Sequence, residues 1–420
     1  MNKTNSLISY LIALLFALLL TNCKSHHISY QNPLHSLLQT QAPQLDSILK
    51  NPKKYQVQII YTKIDRNDKQ TPRFTTYHWN VDNNRYFYPA STVKFPAALL
   101  ALEKLNKLNI SGLDKYTPVR FDSVRTPQQS LYIDTTAKDS IPTLAHLIKQ
   151  IFIVSDNEAY NRVFEFLGQD YIQKTLRKKG YLNTKIAHRL EVGGLTKEDN
   201  LYTSPVTFYR GQDTIYHQPA AKSNAFPASR FTNLKLGKAY QKNGEIISQP
   251  MDFTDYNGIA LQDLHDFIKA VIFPEAVPAR QRFDLKAQDY QFLYQVMSQF
   301  PRESQYPTYT KEWDSYGKFL FWGNSKEKMP TQVRIFNKIG QAYGFLTDAA
   351  YFVDFANGVE FILSATIFVN NNQTFNDNKY EYKTIGFPFL HHLGQLIYNY
   401  EKQRPKKVKP DLSQFRINYD

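Results

Sequence analysis

The sequence predicts an α/β (α+β) chain: strands from both ends build one antiparallel sheet, helices flank it, and the middle forms a helical lobe. Two observations predict this. β-like runs lie near both ends, at residues 54–64 and 73–80 and again at 332–340, 348–355 and 359–369. Between them the apolar spacing shifts to the 3.6-residue period of helices, as at Leu144, Leu147, Ile148 and Ile151.

The elements follow in order. Lys3 and the apolar run 7–20 read as an export signal, too short to span a bilayer, that ends at Asn22-Cys23. Residues 1–22 are the expected signal peptide, and the polar, irregular stretch 23–50 a tether. The main domain then runs over 51–400. In 54–64, Val57, Ile59 and Tyr61 alternate onto one side, and the polar loop before residue 73 makes a hairpin with the second run. A helix opens after Ser91. Another, from about Thr143, is interrupted at Ser155–Asn157. A further helix carries Tyr160, Val163, Phe164 and Leu167 and stops at Gly168, a favoured cap. Residues from about 206 to 250 are turn-rich and read as an insertion. Ala356-Asn357-Gly358 joins two late strands as a hairpin. A last amphipathic helix holds Phe389, Leu393, Leu396, Ile397 and Tyr400, and 401–420 is a basic tail.

Composition bounds the function. The chain has 420 residues, 42% of them hydrophobic, enough for a large buried core. Net charge is +14, but Lys and Arg are scattered apart from the run 402–409, and no nucleic-acid motif occurs, so no nucleic acid is expected as a partner. The 29 Tyr and 29 Phe read as a compositional habit. Cys23 is the one cysteine, so neither an intrachain disulfide nor a cysteine metal cluster is available.

Chemistry enters with Ser91-Thr-Val-Lys94. Two residues three apart on a helix start share a face. A serine hydroxyl needs a base to become a nucleophile, and a desolvated lysine can be that base. Downstream stand Ser155-Asp156-Asn157, in a break between two helices, and Lys338-Ile339-Gly340, in a strand. His-Glu-x-x-His and Gly-x-Ser-x-Gly are absent. No cofactor and no metal are expected.

These three motifs, in this order, resemble the penicillin-recognising serine hydrolases, class A β-lactamases and penicillin-binding proteins. The resemblance implies a β-lactamase/transpeptidase-like fold. It implies that Ser91 is acylated with help from Lys94, that Ser155 relays a proton, and that Asn157, Lys338, Gly340 and Gln341 bind substrate. The N–H groups of Ser91 and Gln341 would hold the oxyanion. Arg189-Leu190-Glu191 resembles the family loop whose glutamate activates the deacylating water, which makes Glu191 the fourth catalytic candidate. Leu20-Thr21-Asn22-Cys23 resembles a lipobox, with Cys23 as the lipidated residue.

Two positions depart from the pattern. Leu195 stands where the family has an asparagine, and Ile339 where it has a threonine that binds the substrate carboxylate. The expected protein is a lipid-anchored, monomeric, class A β-lactamase-like serine hydrolase of the bacterial envelope. Its substrate would be a β-lactam or a peptidoglycan-peptide-like molecule, and its anchor would place it on a membrane. The alternatives are a penicillin-binding acyltransferase and a non-catalytic envelope-binding lipoprotein.

Overall fold

In a computed structural model, residues 32–224 and 226–419 are described. The expected signal and Cys23 lie outside them. A five-stranded antiparallel sheet forms from β1 (Gln58–Arg66), β2 (Pro72–Trp79), β3 (Val333–Ala342), β4 (Phe345–Asp354) and β5 (Val359–Phe368). The spatial order is β3-β4-β5-β1-β2, so the two ends of the chain meet where β1 pairs with β5. Residues 343 and 344 turn β3 into β4, and both have positive φ (52° and 81°). That is the two-residue hairpin geometry that suits strand twist, with glycine at the second position.

Strand alternation divides the core. Ile60, Phe336, Tyr351 and Ile362 face the helical lobe. Ile59, Ile335, Ile339, Phe352 and Phe361 face the opposite way. Both faces are covered, which is why β4 and β5 read as nearly continuous apolar runs.

The outer face is closed by helices α1 (Pro33–Thr40) and α7 (Phe387–Gln403). This corrects the expected tether: Leu34, Leu37 and Leu38 are buried against the sheet, and Asn32 caps α1 by accepting from Leu34 N (3.1 Å). Eight residues hold too few turns for a period to stand out. The expected tail is also corrected. Glu401, Leu412 and Phe415 are buried, and Phe415 packs on Phe336 and Tyr351.

The lobe includes α2 (Lys94–Leu108), α3 (Leu144–Ile153), α4 (Asn157–Leu167), α5 (Leu261–Ile272) and α6 (Ala287–Ser298), together with the helix Gln169–Lys179. Helix α2 is buried on nearly all sides, the mark of a central helix. The stretch expected as an insertion begins inside this core: Val206–Arg210 is a strand paired with Val119–Phe121, and Val206 and Phe208 are fully buried.

Candidate active site

Ser91 sits in a 3-10 turn, Ala90–Val93, that runs directly into α2. Ala90 has φ 47°, and Pro89 O accepts from both Thr92 N (3.1 Å) and Thr92 Oγ1 (2.8 Å), which tightens the turn. Strand β3 crosses it at Gly340. A Cβ there would lie 2.3 Å from Pro89 O, so only glycine lets the strand approach this closely. One residue on, Gln341 is exposed beside Ser91 at the mouth of a cavity of about 820 Å³. β3 is an edge strand, so alternate N–H groups along it have no sheet partner and can serve as donors.

From behind the cavity wall to the cavity itself runs a continuous hydrogen-bond chain. Lys338 Nζ donates to Ser155 Oγ (2.8 Å). Lys94 Nζ reaches Ser155 O, Ser155 Oγ (3.4 Å) and Asn157 Oδ1 (2.5 Å). Asn157 Nδ2 donates to Glu191 Oε2 (2.6 Å). Local structure aims these groups. Ser155 takes a left-handed conformation (φ 60°) between α3 and α4, and Asp156 caps α4 by accepting from Ala159 N (2.8 Å).

Burial sets the charges. Lys94 is 0% exposed, and burial pushes its ammonium down to about 7 against the pull of Asp156 and Glu191. Burial, followed by the nearby Lys94 charge, holds Lys338 well below its ordinary value. An amine with a pKa near neutrality has a free lone pair at working pH and can take a proton from a hydroxyl.

Glu191 is exposed in the cavity, with φ 52°. Its loop is fixed from behind. Buried Arg189 pairs with Glu165 (2.6 Å) and donates to Tyr202 O (2.6 Å), while Asn161 exchanges hydrogen bonds with Leu190 N (2.9 Å) and Leu190 O (3.0 Å). The arginine two residues before Glu191 is thus the loop's internal strut. Leu195 lines the same cavity.

The structure therefore joins Lys94, Ser155, Asn157, Glu191 and Lys338 directly and places Ser91 and Gln341 at the adjoining cavity. Ile339 is elsewhere: it is 7% exposed, in the apolar cluster on the far face of β3 with Ile335 and Phe387. Sequence reasoning missed the aromatic wall of Tyr88, Tyr256 and Tyr343, whose rings meet edge-on at 4.8–6.0 Å. Tyr88, three residues before Ser91, was the one available signal. Among the described residues no group of three or more His, Cys, Asp or Glu could hold a metal ion.

Comparison with known proteins agrees with the motif reading. Residues 42–227 match the β-lactamase enzyme family. The matched segment holds Ser91, Lys94, Ser155, Asn157 and Glu191. Lys338, Gly340 and Gln341 lie beyond it and reach it through β3. Among solved structures, the chain is similar to a β-lactamase from Sphaerobacter thermophilus, with 11% identity over 86% of this chain and 98% of that one (TM-score 0.48). It is also similar to a β-lactamase from Chitinophaga pinensis (12%, 85% and 97%, TM-score 0.48) and to PBP-A (14%, 87% and 95%, TM-score 0.48). No curated protein matches the chain.

Proposed function

We propose that this β-lactamase-like protein is a serine hydrolase that cleaves an amide or ester, a β-lactam in the simplest case, through an acyl-enzyme on Ser91. The observation that carries the reading is the chain of Lys338, Ser155, Lys94, Asn157 and Glu191 beside the Ser91 turn. Ser91 Oγ bonds to the carbonyl carbon while its proton passes to neutral Lys94. The bond to the leaving nitrogen or oxygen breaks, and that atom takes a proton through Ser155. Glu191 then takes a proton from water as the water oxygen bonds to the acyl carbon. The bond to Ser91 Oγ breaks, Oγ takes a proton back from Lys94, and Glu191 gives up its own to solvent, which frees the acid and restores the enzyme. The N–H groups of Ser91 and Gln341 hold the oxyanion in each step.

The test is intact-mass analysis over time with benzylpenicillin and with p-nitrophenyl acetate, followed by peptide mapping. An adduct on Ser91 that forms and decays is expected, and Ser91→Ala should acquire none. An adduct on the Ser91→Ala protein would overturn the assignment. An adduct that never decays would favour the acyltransferase alternative.

The protein is further proposed to sit in the bacterial envelope, anchored through acyl chains on Cys23, several being needed for firm attachment. Among the described residues no helix is long and apolar enough to cross a membrane. Wild-type protein expressed with its leader should partition into detergent, and Cys23→Ser should not. Equal partitioning of the two would rule the anchor out.

A further inference from the structure

We propose that the cavity takes neutral esters or amides that carry an aromatic ring, and that it disfavours a carboxylate beside the scissile bond. This rests on the hydrolase reading above and names its substrate class. Three observations on the wall point the same way.

The first is the supply of positive charge. Arg189 is committed to Glu165 (2.6 Å), and Lys197 to Asp255 (2.8 Å). Lys338 does not reach the wall: it is 1% exposed, and its ammonium nitrogen is spent on Ser155 Oγ (2.8 Å) and Ile339 O (3.2 Å). An entering carboxylate would shed its water without gaining a cation, which is costly. It would also meet the carboxylate of Glu191 on the wall, while Lys197 and Asp255 offset each other.

The second is Ile339. Strand alternation places its side chain in the apolar cluster on the other face of β3, so the position adjoining Lys338 offers the cavity no side chain.

The third is the three-ring corner at the Ser91 end of the cavity. Tyr88 is 4.8 Å from Tyr343 and 6.0 Å from Tyr256, edge-on in both cases, and Tyr256 meets Tyr343 edge-on at 6.0 Å. Tyr343 is held there by the hairpin turn just after Gln341. Tyr88 is buried beneath, while Tyr256 and Tyr343 are half-exposed. Rings fixed in this way offer faces and edges to an incoming aryl group at little entropic cost, because they are already ordered.

The experiment uses the whole protein and two matched pairs of probes, with adducts mapped to Ser91. Benzylpenicillin is compared with its methyl ester, which removes the charge and adds one methyl group. p-Nitrophenyl phenylacetate is compared with p-nitrophenyl acetate, which differs only in the ring on the acyl side. The methyl ester should acylate Ser91 at least about tenfold faster than the acid, and the phenylacetyl ester faster than the acetyl ester. Tyr256→Leu should shrink that second advantage by about fivefold, the worth of one aromatic pair. If the acid acylates as fast as its methyl ester, or the phenyl ring brings no gain in wild type, the proposal is overturned while the hydrolase reading stands. If no probe labels Ser91, both fall together.

Discussion

Two buried lysines, Lys94 and Lys318, make an instructive pair. Burial pushes both ammoniums down to about 7. Each donates to an asparagine oxygen and a backbone carbonyl: Asn157 Oδ1 (2.5 Å) and Ser155 O for Lys94, Asn337 Oδ1 (2.8 Å) and Met297 O (2.9 Å) for Lys318. They differ in where the next bond leads. From Asn157 it goes to Glu191 and the open cavity. From Asn337 it goes to Asp348 (2.8 Å), whose other carboxylate oxygen accepts from Phe319 N and Leu320 N (both 3.0 Å), closing the network inside the core. Burial also raises Asp348, to about 6. A shifted pKa is thus not enough to mark a site; a path to substrate must accompany it.

Substitution of the two lysines breaks this comparison most sharply. Lys94→Met should slow acylation of Ser91 by about a thousandfold, within the range of a lost general base. Lys318→Met should leave acylation within a few-fold of wild type and lower stability by about 1–3 kcal/mol, because Asn337 and Met297 lose a donor. Single-turnover mass kinetics and chemical denaturation read the two effects. Similar acylation defects in both variants would erase the distinction.

Next in size is Glu191→Gln. It keeps the hydrogen bond to Asn157 within reach but removes the base, so the acyl adduct should persist about a hundredfold longer. Adduct decay by intact mass checks it, and unchanged decay would return Glu191 to the surface.

A smaller effect lies in pH. Both lysines have folded pKa values near 7, far below an unfolded lysine. Between about pH 7 and 10 the unfolded chain binds more protons than the folded one, so stability contributed by these groups rises with pH. Each lysine should add up to about 1 kcal/mol per pH unit in that window. The rise should be shallower in Lys318→Met, and denaturation midpoints at pH 7 and 9.5 measure it. In the same window acylation by wild type should climb through about pH 7 as Lys94 becomes neutral.

The least effect on chemistry belongs to Ile339→Thr. With the side chain in the apolar cluster, acylation should change less than about twofold. Stability should fall by about 2 kcal/mol, from lost packing and a buried hydroxyl. A tenfold faster acylation would instead put residue 339 in the cavity.

Much of this was legible in the chain because it is local. Ser91 and Lys94 share one turn, Asp156 caps the helix it precedes, and the motif order names the segments that meet. Strand period two would have put Ile339 on the face opposite Lys338, but the family pattern drew the sequence reading toward the substrate, and the structure corrects it. What sequence hid is what depends on distant segments. Nothing local reveals that α2 lies at the centre of the lobe, which is what desolvates Lys94. The Lys318 network draws on residues 297, 318, 337 and 348. The aromatic corner takes Tyr88, Tyr256 and Tyr343 from three separate stretches, and their number in the composition carried no position.

If Cys23 carries the proposed lipid, the docking of α1 on the sheet limits how far the domain can stand from it. Were the chain free up to residue 50, a lipid at Cys23 would let the domain stand about 95 Å from the bilayer, at the full extension of a polypeptide. Because Pro33 already begins a helix packed against the sheet, the span from a lipid on Cys23 to that helix could not exceed about 35 Å. An anchored domain of this kind would work close against its membrane, and only substrates found in that thin layer would come within its range.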